Sequence, residues 1–307
     1  VVRTVTVNNA SHVDWEDICN ANTYIYIGYF CNNSGSRTDL KIYRILISDY
    51  QESDNDEANA EEINFSYPDQ TDFTSGSNET NFDAEAIISF GDSLYIFSKR
   101  WLDNQSAVYS LPKEPGTYTA AKHGMIFING LISGATYNAS TGNVVLIGYS
   151  FILPFIVTLS EINEGDFINA NIERQTIDLP SGISVQAEAI TSVTANTYHL
   201  SSEQSVLGSP GLCKMVTDEV SNTSHIQKLN PIIFPNPATD YFRIDHEDFY
   251  MAEIYSRDGR LVKRVRERVV GNEGMDVGVY LVVVRDEELG VVGMGRVVLG
   301  GMVTGNR

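Results

Sequence analysis

Three segments along the first two thirds of the chain place a glutamate in the same setting: Trp15-Glu16-Asp17-Ile18, Ala84-Glu85-Ala86-Ile87 and Ala187-Glu188-Ala189-Ile190. Each Glu stands two residues ahead of an Ile, and a Tyr-bearing apolar segment follows, beginning near Tyr24, Leu94 and Tyr198. A fourth unit runs from Gly134 to Asn138, turns at Ser140-Thr-Gly-Asn143 and continues from Val144 to Tyr149, without the Glu. Units near positions 16, 85, 135 and 188 are spaced by 69, 50 and 53 residues, compatible with the ~40–50 residues of a four-stranded propeller blade plus insertions. A blade buries its faces against its neighbours, so four units imply a radial array.

The rest of the chain agrees with an all-β fold. Tyr24 to Phe30, Leu40 to Ile47, Leu94 to Phe97 and Val144 to Tyr149 are short, β-branched or aromatic runs bounded by Asn, Asp, Gly and Ser, and sustained helical periodicity is absent. The acidic run at residues 51–62 reads as a solvated loop; a calcium loop is disfavoured there, because no Gly sits at the tight-turn position. At 307 residues two domains are expected. Charge divides the chain in the same way: residues 231–307 hold 10 basic and 12 acidic residues, leaving 11 and 28 before them, so the nets are −2 and −17. Asn230, Pro231, Pro235, Asn236 and Pro237 make a turn-rich junction. The expected organisation is a β-propeller over residues 1–228 and a small immunoglobulin-like β-sandwich over 229–307.

The net charge of −19 would repel a phosphate backbone or an anionic membrane, so nucleic acid is disfavoured as a partner. The longest apolar run, Phe151 to Leu159, contains Pro154 and is far shorter than the ~20 residues of a transmembrane segment. Val1 already lies within an alternating pattern, with neither an initiator Met nor a signal peptide, so the propeller is read as N-terminally truncated. Cys19, Cys31 and Cys213 are too few for a disulfide framework, lack metal-site spacing, and are read as unpaired.

In a propeller the innermost strand of each blade lines the central channel, so Glu16, Glu85 and Glu188 would approach one axis. Clustered carboxylates raise one another's pKa values or hold a cation, calcium being the metal considered; alternatively each Glu caps backbone N–H groups at a blade corner. Arg37 and Asp39 in a loop, Lys99 and Arg100 at a strand end, and Glu203 are further ligand-site candidates, the cations serving to neutralise the glutamates or to bind an anion. His12, His123, His199, His225 and His246 are scattered without metal-binding spacing, and neither a Gly-x-Ser-x-Gly elbow nor a phosphate-cradling glycine loop is present.

Asp14 to Ile18, Tyr26-Ile-Gly28, Asn32-Asn33, Arg37 and Asp39 to Tyr43 resemble a family of secreted bacterial β-propeller proteins of unestablished activity. Phe82 to Ile87, Leu94 to Lys99, Tyr109 to Pro112 and Pro115 to Tyr118 extend that resemblance to residue 228 or so. Tyr29 and Cys31 stand where that family has Asp and Gly. The last 75 or so residues resemble the C-terminal sorting domain of the type IX secretion system. Phe234-Pro235-Asn236-Pro237-Ala238, Phe242 to Ile244, Ile254 to Gly259, Lys263, Gly278-Val279-Tyr280-Leu281-Val282 and Gly295 to Leu299 carry it. Asp258-Gly259 would make a hairpin turn, and Tyr280, Val282 and Val284 would share a face. This resemblance implies the type IX secretion machinery as a partner and a secreted or outer cell-surface location. The expected function is a non-catalytic binding propeller for an unidentified surface ligand, with no cofactor. The alternative is a calcium-dependent, phosphoesterase-like hydrolase using the axial carboxylates.

Overall fold

The computed structural model describes residues 4–11, 14–21, 23–52, 56–150, 153–177, 179, 186–203, 209–217, 231–256, 260–287 and 291–300. The expected 228/229 boundary, His12, His225, Asn230 and the Asp258-Gly259 turn lie outside the described residues. The chain divides into two compact units, Val1–Glu219 and Val220–Arg307.

The first unit is a β-propeller. Its first blade runs outward through Ile18–Ala21, Tyr24–Tyr29, Lys41–Leu46 and Glu61–Ser66, and the second through Asp83–Phe90, Ser93–Lys99, Ser106–Pro112 and Ala121–Ile126. The third comprises Leu131–Asn138, Asn143–Ser150, Leu153–Ser160 and Asn171–Thr176; the fourth has Ala187–Ser192, Thr197–Ser202 and Gly211–Val216. The first strands of successive blades lie against one another. Each blade interface is a separate apolar layer. Tyr26, Phe30, Ile42 and Ile63 meet Ile87, Leu94, Ile96 and Tyr109; Ala86, Phe97 and Val108 meet Val144, Leu146 and Phe155; Val145, Ile147 and Ile156 meet Ile190, Tyr198 and Leu200. Blades buried on both faces explain why the strands read as continuous apolar runs instead of clean alternation. The segment after Pro112 ties two blades together. Gly116–Thr119 adds to the first blade in parallel with Glu61–Ser66, and Ala121–Ile126 then closes the second blade against Ser106–Pro112.

The acidic run 51–62 is not a loop throughout, which corrects the sequence reading. Ile47–Glu52 is a short helix, Glu57–Ala58 pairs in parallel with Thr6–Val7, and Glu61 begins a blade strand. Ala58, Ala60 and Ile63 are buried, and cross-strand cations discharge the acids: Arg44 lies 2.7 Å from Glu61 and Lys41 3.0 Å from Glu62. Cys19, Cys31 and Cys213 are free thiols. No helix among the described residues is long and apolar enough to cross a membrane.

The second unit is a β-sandwich. Ile232–Phe234, Tyr241–Asp245 and Val269–Gly271 form one sheet; Leu261–Val265, Met251–Tyr255, Gly278–Arg285 and Val291–Leu299 form the other. Tyr280, Val282 and Val284 point together into a core with Phe242, Ile244 and Ile254. The Pro235-Asn236-Pro237 segment replaces strand pairing with a side chain: Asn236 Nδ2 donates to Arg296 O at 2.7 Å, and Val298 N donates to Asn236 Oδ1 at 2.9 Å. Gly295 allows this face to close, since a Cβ there would stand 2.5 Å from Ile233 Cδ1.

Candidate functional site

The three glutamates occupy β-bulges on the innermost strands. Ala84 pairs with Ser98 and Ala86 with Phe97, leaving Glu85 extra; Ala187 pairs with Ser202 and Ala189 with Ser201, leaving Glu188 extra. In the first blade Glu16 N donates to Gly28 O while Gly28 N donates to Asp17 O, so two residues again face one. The third blade has the same irregularity at Ser133, whose hydroxyl donates to Ala187 O at 2.5 Å. A bulge re-aims the side chain it carries. Gly134 follows Ser133 because a Cβ there would stand 2.7 Å from Glu188 O in the neighbouring blade.

The glutamates meet a cation supplied by the chain itself. Lys99 ends its strand with Nζ 2.6 Å from both oxygens of Glu85, 4.9 Å from the Trp101 ring centre and 5.2 Å from that of Tyr149. Glu85 interacts with Glu16 and Glu188, and Lys99 with all three. Burial opposes the Lys99 ammonium, but Glu85, Tyr149 and Glu188 outweigh it and hold the proton on. Burial, with Asp83 and Glu16 beside it, pushes the Glu85 carboxyl up against the pull of Lys99. With its ammonium equidistant from two carboxylate oxygens, Lys99 forms an ion pair with Glu85. The flanking acids carry the cost. Glu16 is pushed up to about 7 by burial and by Asp14 and Asp83, against a Cys31 hydrogen bond and Lys99. Glu188 is pushed up to about 8 by burial, Glu85 and Glu203, against Lys99.

Other expected residues fall elsewhere. Arg37 pairs with Asp39 at 3.0 Å, lies 4.2 Å over the Tyr29 ring and donates to Cys31 O at 2.7 Å, so it braces its own loop. Arg100 bonds Asp103, not a glutamate, because neighbouring residues of a strand end point to opposite faces. Glu203 interacts with Glu188, and it accepts from Gln186 Nε2 at 2.5 Å.

Backbone capping belongs to two aspartates that the sequence did not flag. Asp83 accepts from Asn32 N at 2.7 Å, Ala84 N at 3.1 Å and Trp101 Nε1 at 2.9 Å. Asp17 Oδ1 accepts from Ile18 N at 2.8 Å, and its Oδ2 from Ile87 N at 3.0 Å and Ala135 N at 3.2 Å, so one carboxyl joins three blades. The available signal was that Asp17 stands where the other units have Ala86, Gly134 and Ala189.

These shifts set a pH dependence. Glu16 and Glu188 hold protons in the folded chain that the unfolded chain, with ordinary carboxyl values near 4.5, has released. Folding therefore loses stability as pH rises from about 4.5 to about 8. Glu188→Gln should flatten that slope and stabilise the propeller at pH 8 by about 1–2 kcal/mol after allowance for partial exposure. Urea midpoints at pH 5 and pH 8 test this, read by tryptophan fluorescence, since Trp15 and Trp101 both lie in the propeller unit. A slope equal to that of the parent protein contradicts it.

Fold and site together define a propeller with a charged cluster beside its innermost strands, followed by a β-sandwich. Residues 232–293 match the family of secretion system C-terminal sorting domains, so the second unit is a type IX sorting tail and the chain is exported to the cell surface or secreted. No curated protein matches the chain. Among solved structures it is similar to a GH43 β-1,3-galactosidase (9% identity, TM-score 0.41, covering 96% of this chain and 58% of that one). It is also similar to the PQQ-bound aldose sugar dehydrogenase of Streptomyces coelicolor (8%, 0.35, 70% and 97%) and to Citrobacter koseri AztD (9%, 0.28, 95% and 73%). The chain thus spans 58% of the galactosidase's length. At these identities and scores no activity carries over.

Proposed function

We propose that the chain is a non-catalytic binding protein of the cell surface or medium that takes a hydroxyl-rich, glycan-class ligand at the axial cluster. The observation that carries this reading is the Lys99–Glu85 ion pair set between the Trp101 and Tyr149 rings and flanked by Glu16 and Glu188. Carboxyls poised near neutrality both donate and accept hydrogen bonds, and aromatic rings offer apolar faces to sugar C–H groups. A nucleophile–base pair does not stand at the axis among the described residues; the Ser110–His123 hydrogen bond of 2.8 Å lies on the outer strand pair of the second blade.

A calcium-dependent hydrolase is the second reading, favoured by donor atoms of Asp14, Glu16 and Cys31 within 4.8 Å of one another. The residues fit calcium poorly. Calcium takes 6–8 oxygen ligands, whereas Lys99 holds both Glu85 oxygens and the third donor is a sulfur that burial keeps as a thiol. Calorimetric titration with neutral oligosaccharides should give saturable binding that weakens about tenfold in Tyr149→Ala, the loss of one stacking ring. Tight calcium binding with phosphoesterase turnover that disappears in Glu85→Gln would replace this reading with the second.

A further inference from the structure

We propose that the sorting domain carries an oxyanion-binding pocket on the outer face of its four-stranded sheet, for a phosphate or carboxylate group borne on a small organic ligand. A cavity of about 670 Å³ opens there, lined by Met251, Glu253, Arg264, Val265, Arg266 and Arg285; it falls within the ~300–1,000 Å³ of small-molecule sites. The pleat explains it. Ala252 and Ile254 enter the sandwich core, so Met251, Glu253 and Tyr255 face the other way, with Arg264 opposite Glu253 and Arg285 opposite Met251.

Glu253 organises the pocket without discharging it. It is 4% exposed and accepts from Arg264 Nε at 3.0 Å and Nη2 at 2.6 Å, from Arg285 Nε at 2.7 Å and from Tyr255 OH at 3.0 Å. Burial works against this carboxylate, but the bonds from Arg285 and Arg264 prevail and hold it below its ordinary value. Its single negative charge faces three guanidinium groups. Arg266 has no carboxylate partner among the described residues, and its guanidinium lies 5.1 Å over the Tyr250 ring. Among the described residues Arg266 therefore adds to the lining a guanidinium that Glu253 does not hold, in a chain whose net charge is −19. Guanidinium forks match the oxygens of phosphate and carboxylate in a way that a lone ammonium does not. Met251, which shares the outer face with Glu253, supplies an apolar wall for the body that bears the anion. This site is independent of the ligand proposed for the propeller.

The test is isothermal calorimetry on the full chain at low ionic strength with inorganic phosphate and with acetate, against chloride as control. Saturable one-to-one binding of either anion is expected, and the tighter of the two identifies the group recognised. Arg266→Ala should weaken it about tenfold, Arg266→Lys less, and Arg243→Ala, an exposed arginine of the other sheet, not at all. Arg266 is itself exposed, so these variants keep the fold. Absence of saturable heat for both anions, or equal binding in Arg266→Ala, overturns the proposal.

Discussion

Replacing Lys99 by Met will lower the unfolding free energy of the propeller by about 3–5 kcal/mol at pH 8, the range for removing one partner of a buried ion pair. The Lys99 and Glu85 side chains are 4% and 9% exposed, and the neighbours of Glu85 besides Lys99 include Asp83 and Glu16. Without the ammonium, Glu85 must either stay ionised beside like charges or take up a proton, and both cost stability. The loss should shrink at pH 5, where the carboxyls are protonated without help. In a unit of this size it corresponds to a fall in melting temperature of about 10 °C. The double variant Lys99→Met/Glu85→Leu should recover most of it, because replacing a whole buried pair by apolar groups is close to neutral. Urea unfolding of the single and double variants checks both statements. A single-variant loss below about 1 kcal/mol, or a double variant no more stable than the single, shows that the pair is not the centre of the cluster.

What was legible in the sequence depended on how local its cause was. Tyr24 to Tyr29, Lys41 to Leu46 and Asn143 to Ser150 announce themselves as strands because aromatic and β-branched residues fill them. The sorting domain is legible for a similar reason: Asn236 and its prolines act on a single neighbouring strand, and Tyr280, Val282 and Val284 obey a two-residue period. The glutamate spacing was visible as text, but not that each Glu sits on a bulge, which depends on the partner strand. Choosing between Lys99 and Arg100 as the neutralising cation required knowing which way the pleat turns. Residues 57–62 were misread because Lys41 and Arg44, which neutralise Glu62 and Glu61, lie a whole strand earlier in the chain. Asp17 was invisible for the strongest form of this reason: two of its donors, Ile87 and Ala135, are separated from it by 70 and 118 residues.

Asp17 answers a problem that the radial fold creates. The innermost strand of each blade has one edge without a neighbouring strand, and its N–H groups face the axis. Ile87 N and Ala135 N are two such donors, from the second and third blades, and a single carboxylate oxygen of the first blade accepts from both. Asp17→Ala leaves these buried donors without a partner at about 1–3 kcal/mol each. A total loss of about 3–5 kcal/mol at pH 8 is therefore expected, once the relief of a desolvated charge is set against it. Burial holds the Asp17 carboxyl up at about 7 despite the three backbone bonds that lower it. The unfolded chain releases that proton near the ordinary value of 3.8, so the parent protein loses stability as pH rises from about 4 to 7. Asp17→Asn keeps one acceptor oxygen and no charge, so it should fall between parent and Asp17→Ala at pH 8 and lack this part of the pH slope. Hydrogen exchange gives the local readout: the Ile87 and Ala135 amides should lose protection in Asp17→Ala by more than global destabilisation accounts for. Unchanged protection at both amides, with unfolding free energy within about 1 kcal/mol of the parent, would mean that the blades are held together by their apolar interfaces alone.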